Sequence, residues 1–271
     1  MGLKSTFSGV LRNFNLIYFA DLLRYHLMRI KSKKANTLFK AENPSIPLPP
    51  DYLMYESFQL NYDKYYHEGF KEAEYIAHHL KKHKELKDVS ILDWGCGPAR
   101  IIRHFPKIAT QNCTFYGTDY NKKSITWNSE NLPNIQFNLN TLKASLPYKN
   151  DFFDIIYSLS VLTHLSEKQH YEWIQELKRI LKPQGILYIT TQGDNFKTIL
   201  TKSELAKYQN DSIIVRGKVK EGHRTYSAFQ PVGFMEQLLK DFEILEHIVQ
   251  KPQGNWKPQD IWIAKKRSAS S

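Results

Sequence analysis

Apolar residues along this chain fall into two rhythms. Leu16, Phe19, Leu23, Leu27 and Ile30 recur at three- and four-residue steps, with Arg12, Arg24 and Lys31 elsewhere, and predict an amphipathic helix over 11–30. Pro44, Pro47, Pro49 and Pro50 predict an extended linker over 43–50. An aromatic segment follows over 51–66, carrying Tyr52, Tyr55, Tyr62, Tyr65 and Tyr66, and helical spacing returns through Phe70, Ala73, Ile76, Ala77 and Leu80. His78, His79 and His83, set among Lys81, Lys82 and Lys84, read as the solvated face of that helix.

From Val89 onward, short apolar runs alternate with helical stretches, the pattern of an α/β domain. Strands are predicted around 89–92, 113–118, 135–137, 155–159, 186–191, 242–249 and 260–264, with helices over 99–105, 122–130 and 232–239. A further helix starts at Ser166, buries Trp173, Leu177, Ile180 and Leu181, and is stopped by Pro183-Gln184-Gly185. The stretch 194–230 reads as an insertion, with a strand over 213–220 and a hairpin turn at Glu221-Gly222-His223-Arg224. The basic, serine-rich tail 265–271 is expected to fray.

The candidate chemistry sits at the first strand–helix junction, Asp93-Trp94-Gly95-Cys96-Gly97-Pro98-Ala99-Arg100. Gly95 and Gly97 permit a tight turn and close approach of backbone to a ligand, the arrangement that holds a nucleotide-like molecule at a helix N-terminus. Asp119 ends the next strand, about 20 residues beyond the loop, where a carboxylate can accept hydrogen bonds from a ribose diol. A dinucleotide-binding loop would carry a third glycine where Arg100 stands. Asp93, an acid at the strand tip, suits a ligand with an ammonium group and no pyrophosphate to repel.

This D-x-G-x-G loop resembles the first motif of the class I S-adenosylmethionine-dependent methyltransferases, with Ala99 where many members have a third glycine. The passage Glu176-Leu177-Lys178-Arg179-Ile180-Leu181-Lys182-Pro183-Gln184-Gly185 resembles a second signature of the same family, in the expected order. The resemblance covers roughly residues 50–265. It implies a Rossmann-like sheet of seven strands, mostly parallel with one antiparallel strand, behind an N-terminal helical extension. The domain organisation expected is a basic helical extension over 1–42, a proline linker and helical cap over 43–86, the cofactor-binding domain over 87–266 and a tail over 267–271.

By that resemblance the cofactor is S-adenosylmethionine. Gly95, Cys96 and Gly97 would border its amino-acid part, with Asp93 near the ammonium and Asp119 on the ribose. Tyr120 and Asn121 would border the adenine, Asn140 would bond its edge, Leu142 would pack on the ring, and Ser160, where strand four closes, would be a further cofactor-binding residue. Methyl transfer from a sulfonium needs alignment and exclusion of water, and an amine or hydroxyl acceptor also needs a base. His164 is the first candidate, because the end of strand four faces the methyl group in this fold. His223 and Tyr226, on the insertion, are the second. Asp93 to Pro98, Ser160 to Leu165 and Trp173 to Gly185 together resemble a bacterial-type branch acting on small molecules or glycans.

Composition narrows the partners. The chain has 271 residues, 41% hydrophobic and 24% charged, as in ordinary globular proteins, and no run of ~18 apolar residues that could span a membrane. Cys96 and Cys113 offer neither a disulfide framework nor a metal cluster, which fits a reducing cytoplasm. The first 40 residues hold eight Lys or Arg against one acid, +7 of the total +11. This concentration suits peripheral contact of 1–40 with an anionic inner-membrane surface or an acidic protein, or a helix docked on its own domain. Met1-Gly2-Leu3-Lys4-Ser5-Thr6 also fits the loose myristoylation pattern.

Nucleic acid is the weaker partner reading, since the basic residues are not interleaved with aromatics as a stacking platform. The DNA amino-methyltransferase tetrad, a Pro-Cys nucleophile and a G-x-S-x-G elbow are all missing from the sequence. RNA methylation and a non-catalytic scaffold remain as alternatives. Arg216, Lys218, Lys220 and Arg224 on the insertion suggest an acceptor bearing phosphate or carboxylate.

Overall fold

A computed structural model describes residues 17–109, 111–254 and 256–268. The described residues fall into two compact units, the first ending at Asn140 and the second beginning at Thr141. The expected myristoylation pattern and the start of the N-terminal helix lie outside the described residues.

The first unit opens with helix α1 (Ile17–Glu42). It continues twelve residues past the Ile30 at which the apolar spacing ends, because no helix breaker occurs before Asn43-Pro44. Its docked face mixes polar with apolar residues and so carries no apolar period of its own. Asp21 accepts from the Tyr55 hydroxyl at 2.8 Å, and the Asn36 amide oxygen takes the Tyr62 N–H at 3.0 Å. Tyr25, Met28 and Phe39 pack on the same side against Met54, Tyr55, Leu60, Tyr62 and Tyr65. That cluster is carried by α2 (Asp51–Ser57) and by a π-turn over Lys64–Glu68, and it leads into α3 (Gly69–Lys81). Ala73, Ile76, Ala77 and Leu80 form the buried face of α3. His79 is buried too, against the expectation of a solvated face, with its ring edge-on to Tyr75 and Nδ1 3.2 Å from the Lys82 ammonium.

Strands β1 (Ser90–Trp94), β2 (Thr114–Asp119) and β3 (Gln136–Leu139) follow, with β2 parallel to both neighbours. A regular helix was expected from Ala99 to Phe105. The chain instead makes a turn, one 3-10 turn (Ile102–His104) and the short α4 (Phe105–Ile108). Ala99 has φ +59°, which no α-helix accommodates, and Pro106 bars a helical hydrogen bond at its own nitrogen. Helix α5 (Lys122–Asn131) connects β2 to β3.

In the second unit, β4 (Phe153–Ser158) and the 3-10 turn Leu162–His164 precede α6 (Glu167–Ile180), capped by Ser166. Strand β5 (Leu181–Thr191) runs parallel to β4, with an irregularity between Phe153 and Ile155 in their register. After it come a 3-10 stretch (Asp194–Ile199), α7 (Lys202–Gln209), the short antiparallel pair β6 (Ile214–Arg216) and β7 (Ser227–Phe229), and α8 (Val232–Leu238). Strands β8 (Phe242–Ile248) and β9 (Asp260–Lys266) close the fold, β9 antiparallel to both β5 and β8.

The hydrogen-bonded order is β3-β2-β1-β4-β5-β9-β8, a seven-stranded sheet with β9 as the antiparallel strand, as the resemblance implies. Two details of the insertion differ from expectation. Strand β6 stops at Arg216 because Lys218 sits at φ +58°, so 217–226 is a loop and not a tight hairpin. Helix α7 was not foreseen, although Thr201 and Glu204 form a reciprocal capping box at its start. At the other end, Lys265 and Lys266 belong to β9 and not to a frayed tail, and Lys266 donates to Asp151 and to the Leu181 carbonyl.

Candidate active site

The first unit builds a closed turn at the C-terminal ends of β1 and β2. Gly95 and Gly97 adopt φ +80° and +50°, conformations open to glycine at no steric cost, and with Ala99 they fold the chain sharply back. The Gly95 and Cys96 N–H groups donate to the Thr118 carbonyl at 2.8 and 3.0 Å. Asp119 completes the clasp: one carboxylate oxygen accepts from Gly97 N–H at 2.8 Å, the other from Asn121 N–H at 2.7 Å. From outside, Asn128 donates to the Gly97 carbonyl at 2.9 Å and the buried Tyr65 hydroxyl donates to the Pro98 carbonyl. Sequence reasoning missed Tyr65 and Asn128 as supports of this turn, because each reaches it from about thirty residues away.

Asp93 and Asp119 are both buried. Burial raises the Asp119 carboxyl above its ordinary range, and the backbone N–H groups of Asn121, Gly97 and Tyr120 oppose that rise. Burial also pushes the Cys96 thiol well up, with the Asp93 and Asp119 charges adding to it, so this cysteine is a packed neutral group and not a nucleophile. Arg100 is half-buried with its guanidinium over the Phe58 ring, 4.4 Å from the centroid.

Asn121 does structural work as the N-cap of α5, its side-chain oxygen accepting from Lys123 N at 3.0 Å and Ser124 N at 3.3 Å. Its amide reaches Glu56 at 3.2 Å, a carboxylate that sequence reasoning also missed. Tyr120 leaves its ring partly exposed beside this cap. Asn140 N–H donates to the Asp119 carbonyl at 3.0 Å, and its side-chain oxygen accepts from the Thr118 hydroxyl at 2.8 Å. Thus Asp93, Gly95, Cys96, Gly97, Asp119, Tyr120, Asn121 and Asn140 are brought together around one turn.

Within the second unit, Ser160 stands at φ +63° in a ring of hydrogen bonds. Its N–H donates to Thr190 Oγ1 at 2.9 Å, Thr190 donates to Gln259 Oε1 at 2.6 Å, and Gln259 Nε2 donates to Ser160 Oγ at 2.6 Å. His164 follows, with Nδ1 2.7 Å from the Tyr226 carbonyl. That carbonyl can only accept, so Nδ1 carries the hydrogen and Nε2 the lone pair. Burial lowers the His164 pKa, with the Tyr226 carbonyl opposing, and keeps the imidazole neutral at neutral pH.

The insertion loop lies over the same turn, since Gly222 N–H donates to the His164 carbonyl at 2.9 Å. His223 bonds within its own loop through Nδ1 to the Thr225 hydroxyl at 2.8 Å, and Tyr226 is buried. Leu142 is half-buried in an open groove of about 870 Å³ shared with Lys143, Ala144 and Tyr171. Arg216 corrects one expectation: it grips Glu204 with Nε at 2.9 Å and Nη2 at 2.7 Å, and Nη2 also donates to the Ile199 carbonyl. It anchors α7 and is committed to that pair. Among the described residues, no cluster of His, Cys, Asp or Glu is placed to hold a metal ion, and no helix is long and apolar enough to cross a membrane.

Residues 92–189 match the family described as a methyltransferase domain. Over 101 residues the chain is 35% identical to the tRNA (carboxymethyluridine(34)-5-O)-methyltransferase of Arabidopsis thaliana, which covers 37% of this chain and 23% of that protein. Over 147 residues it is 29% identical to an uncharacterized methyltransferase of Schizosaccharomyces pombe, covering 51% of each. The chain thus spans about a quarter and about half the length of these curated relatives. A solved S-adenosylmethionine-dependent methyltransferase of Methanosarcina mazei shares the fold at a TM-score of 0.53 and 20% identity, covering 70% of this chain and 97% of that one. A Pyrococcus horikoshii protein does so at 0.52 and 18%, covering 76% and 96%. These likenesses show the class I methyltransferase fold.

The residues present fit the cofactor of that fold. Gly97 N–H and Asn121 N–H reach different Asp119 oxygens, and a carboxylate oxygen can accept more than one hydrogen bond, so the pair can also receive the hydroxyls of a ribose. An acid at Asp93 suits an ammonium and would repel a pyrophosphate.

Proposed function

We propose that the S-adenosylmethionine-dependent methyltransferase domain of this chain delivers its methyl group to an oxygen or nitrogen of a small molecule or glycan intermediate. The observation that carries the cofactor side is the buried Asp119 carboxylate clasping the Gly95–Gly97 turn through Gly97 N–H. The cofactor supplies a methyl group already activated on sulfonium sulfur. The protein's part is to hold, align and dry the reacting groups. Asp119 binds the ribose, and its position is set by Gly97 and Asn121, so no reorganisation is needed on binding. Asp93 receives the ammonium, and Tyr120 and Asn140 border the adenine.

His164 is the proposed base. A neutral imidazole with Nδ1–H held by the Tyr226 carbonyl leaves Nε2 to take the proton of an attacking hydroxyl or amine. The Ser160–Thr190–Gln259 ring fixes the chain just before it. His223, Lys218, Lys220 and Arg224 sit on the loop that bonds to the His164 carbonyl through Gly222, which favours an acceptor bearing phosphate or carboxylate. Contact of Lys218 and Arg224 with such a group predicts that their replacement by alanine raises KM for it and leaves kcat nearly unchanged.

A second reading is supported by the Arabidopsis relative, whose name assigns it to tRNA, and by the net charge of +11. One experiment separates the two. The protein is given methyl-labelled S-adenosylmethionine with either the low-molecular-mass fraction or the RNA fraction of a cell extract. Label in the small-molecule fraction supports the first reading, and label in RNA replaces it with the second.

A further inference from the structure

Helix α1 is docked by one side only. Tyr25, Met28 and Phe39 bury against the aromatic cluster of the first unit, and Asp21 and Asn36 hydrogen-bond on that same side. Phe19, Leu23, Leu27 and Ile30 project from the opposite side, spaced four, four and three residues apart, and are 70%, 54%, 60% and 74% exposed. A docked helix has no structural use for four large apolar side chains in water, and they form one continuous stripe rather than scattered single residues.

The charged residues that α1 itself places around the stripe are all basic. Arg24 and Lys31 flank it on one edge, Arg29 and Lys33 on the other, and Lys34 follows it. The acids of α1 are Asp21, which is turned to the Tyr55 hydroxyl, and Glu42 at the far end. Beside the stripe lies a groove of about 430 Å³ lined by His26, Arg29, Lys33, Lys40, Asp51 and Tyr62, where Asp51 pairs with Arg29 at 3.3 Å. An apolar ridge between cationic margins is the pattern of a helix lying in a lipid–water interface.

We propose that this face of α1 docks the protein on an anionic phospholipid bilayer, with Phe19, Leu23, Leu27 and Ile30 entering the interface and the flanking cations meeting headgroup phosphates. A second copy of the chain is the poorer occupant: self-packing of this face would bring cationic margins against each other. The helix lies along the surface, since no described helix is long and apolar enough to cross a bilayer. The inference is independent of the methyl-transfer reading and of its acceptor.

The test uses the full chain in co-sedimentation with phosphatidylcholine vesicles and with vesicles that also contain phosphatidylglycerol. Binding to the anionic vesicles is expected to exceed binding to the neutral ones by at least about tenfold. Each basic residue near the surface multiplies binding about fivefold, so the triple variant K31Q/K33Q/K34Q should lose about a hundredfold. The pair L23S/L27S should lose at least about tenfold by removing apolar burial. All five side chains are exposed, so the melting temperature of both variants should match that of the parent, which separates lost docking from lost folding. Equal binding to both vesicle types, or binding to neither, overturns the proposal. So does a dimer in light scattering that L23S/L27S converts to monomer, because the stripe is then a contact between copies.

Discussion

Replacing Asp119 with asparagine separates the structural task of this side chain from the cofactor-binding task proposed for it. In the fold, its oxygens accept from Gly97 N–H at 2.8 Å and Asn121 N–H at 2.7 Å. Asparagine keeps one acceptor and turns a donor toward the other N–H, which costs about 1–3 kcal/mol. The same change removes a buried charge. Burial raises the Asp119 pKa, so its contribution favours folding below the unfolded value and is lost as pH rises through the folded one; at neutral pH the ionised carboxylate is a cost to the free protein. The two effects oppose each other, and Tm should fall by no more than a few degrees.

Cofactor binding should respond very differently. Two ribose hydroxyls on a carboxylate are charge-assisted bonds worth about 1.5–3 kcal/mol each, and asparagine forfeits one and weakens the other. The expected loss is about 2–4 kcal/mol, or roughly thirty- to a thousandfold in Kd for S-adenosylhomocysteine by isothermal titration. Binding to the parent protein should also weaken on acidification at a pH above the ordinary carboxylate range, because the raised pKa protonates Asp119 early. A Kd for D119N within about threefold of the parent would falsify the assignment of Asp119 to the cofactor.

Removing the His164 imidazole as H164A should lower kcat by roughly a hundredfold or more, and because burial depresses its pKa, the acid limb of the parent rate profile should lie below the usual imidazole range; an unchanged kcat excludes it as the base. His170 predicts an acid weakness. Its Nδ1 lies 2.8 Å from the Ser166 carbonyl and Nε2 accepts from Gln230, so protonation sets two donors face to face, and burial lowers its pKa to about 4. The stability this group provides is complete above the unfolded value of 6.5 and is lost as pH falls toward 4; about 2 kcal/mol should be gone at pH 5 by denaturant titration. Glu176 accepts from Leu146 N–H at 2.6 Å and from Arg179 Nε and Nη2, each at 2.7 Å, so E176A should cost about 3 kcal/mol and about 8 °C in calorimetry. In G117A the new methyl would stand 2.7 Å from the Phe137 ring and 3.0 Å from Cys96 Sγ, and should destabilise by about 2 kcal/mol in the same assay.

The parts of this fold that were legible in the sequence are those written in local patterns. Buried parallel strands appear as apolar runs such as Ile155-Ile156-Tyr157, and α6 shows its buried face at Trp173, Leu177 and Ile180. The glycine turn and Asp119 could be marked out because a turn of this shape needs residues tolerant of positive φ. Where expectation failed, a local signal was overridden or unread. Ala99 has good helix propensity, yet the turn forces it to φ +59° and ends any helix there. Helix α7 has one local sign, the Thr201-x-x-Glu204 box, set in a polar stretch with no apolar period to extend it. The commitment of Arg216 is not legible in the sequence, because its partner Glu204 lies twelve residues away and no local pattern links them.

The docked face of α1 shows the same limit from the other side. A helix with one apolar stripe reports its period plainly, but α1 carries two faces with different purposes. The docked face mixes Asp21 and Asn36 with Tyr25, Met28 and Phe39, each polar group meeting a partner in the aromatic cluster. The stripe seen in the sequence, Phe19 to Ile30, is the face left in water. The apolar period therefore located the helix correctly while pointing to the surface that is not packed. Hydrophobic spacing measures where apolar groups lie, and only the partners of the interspersed polar groups decide which face is the interior.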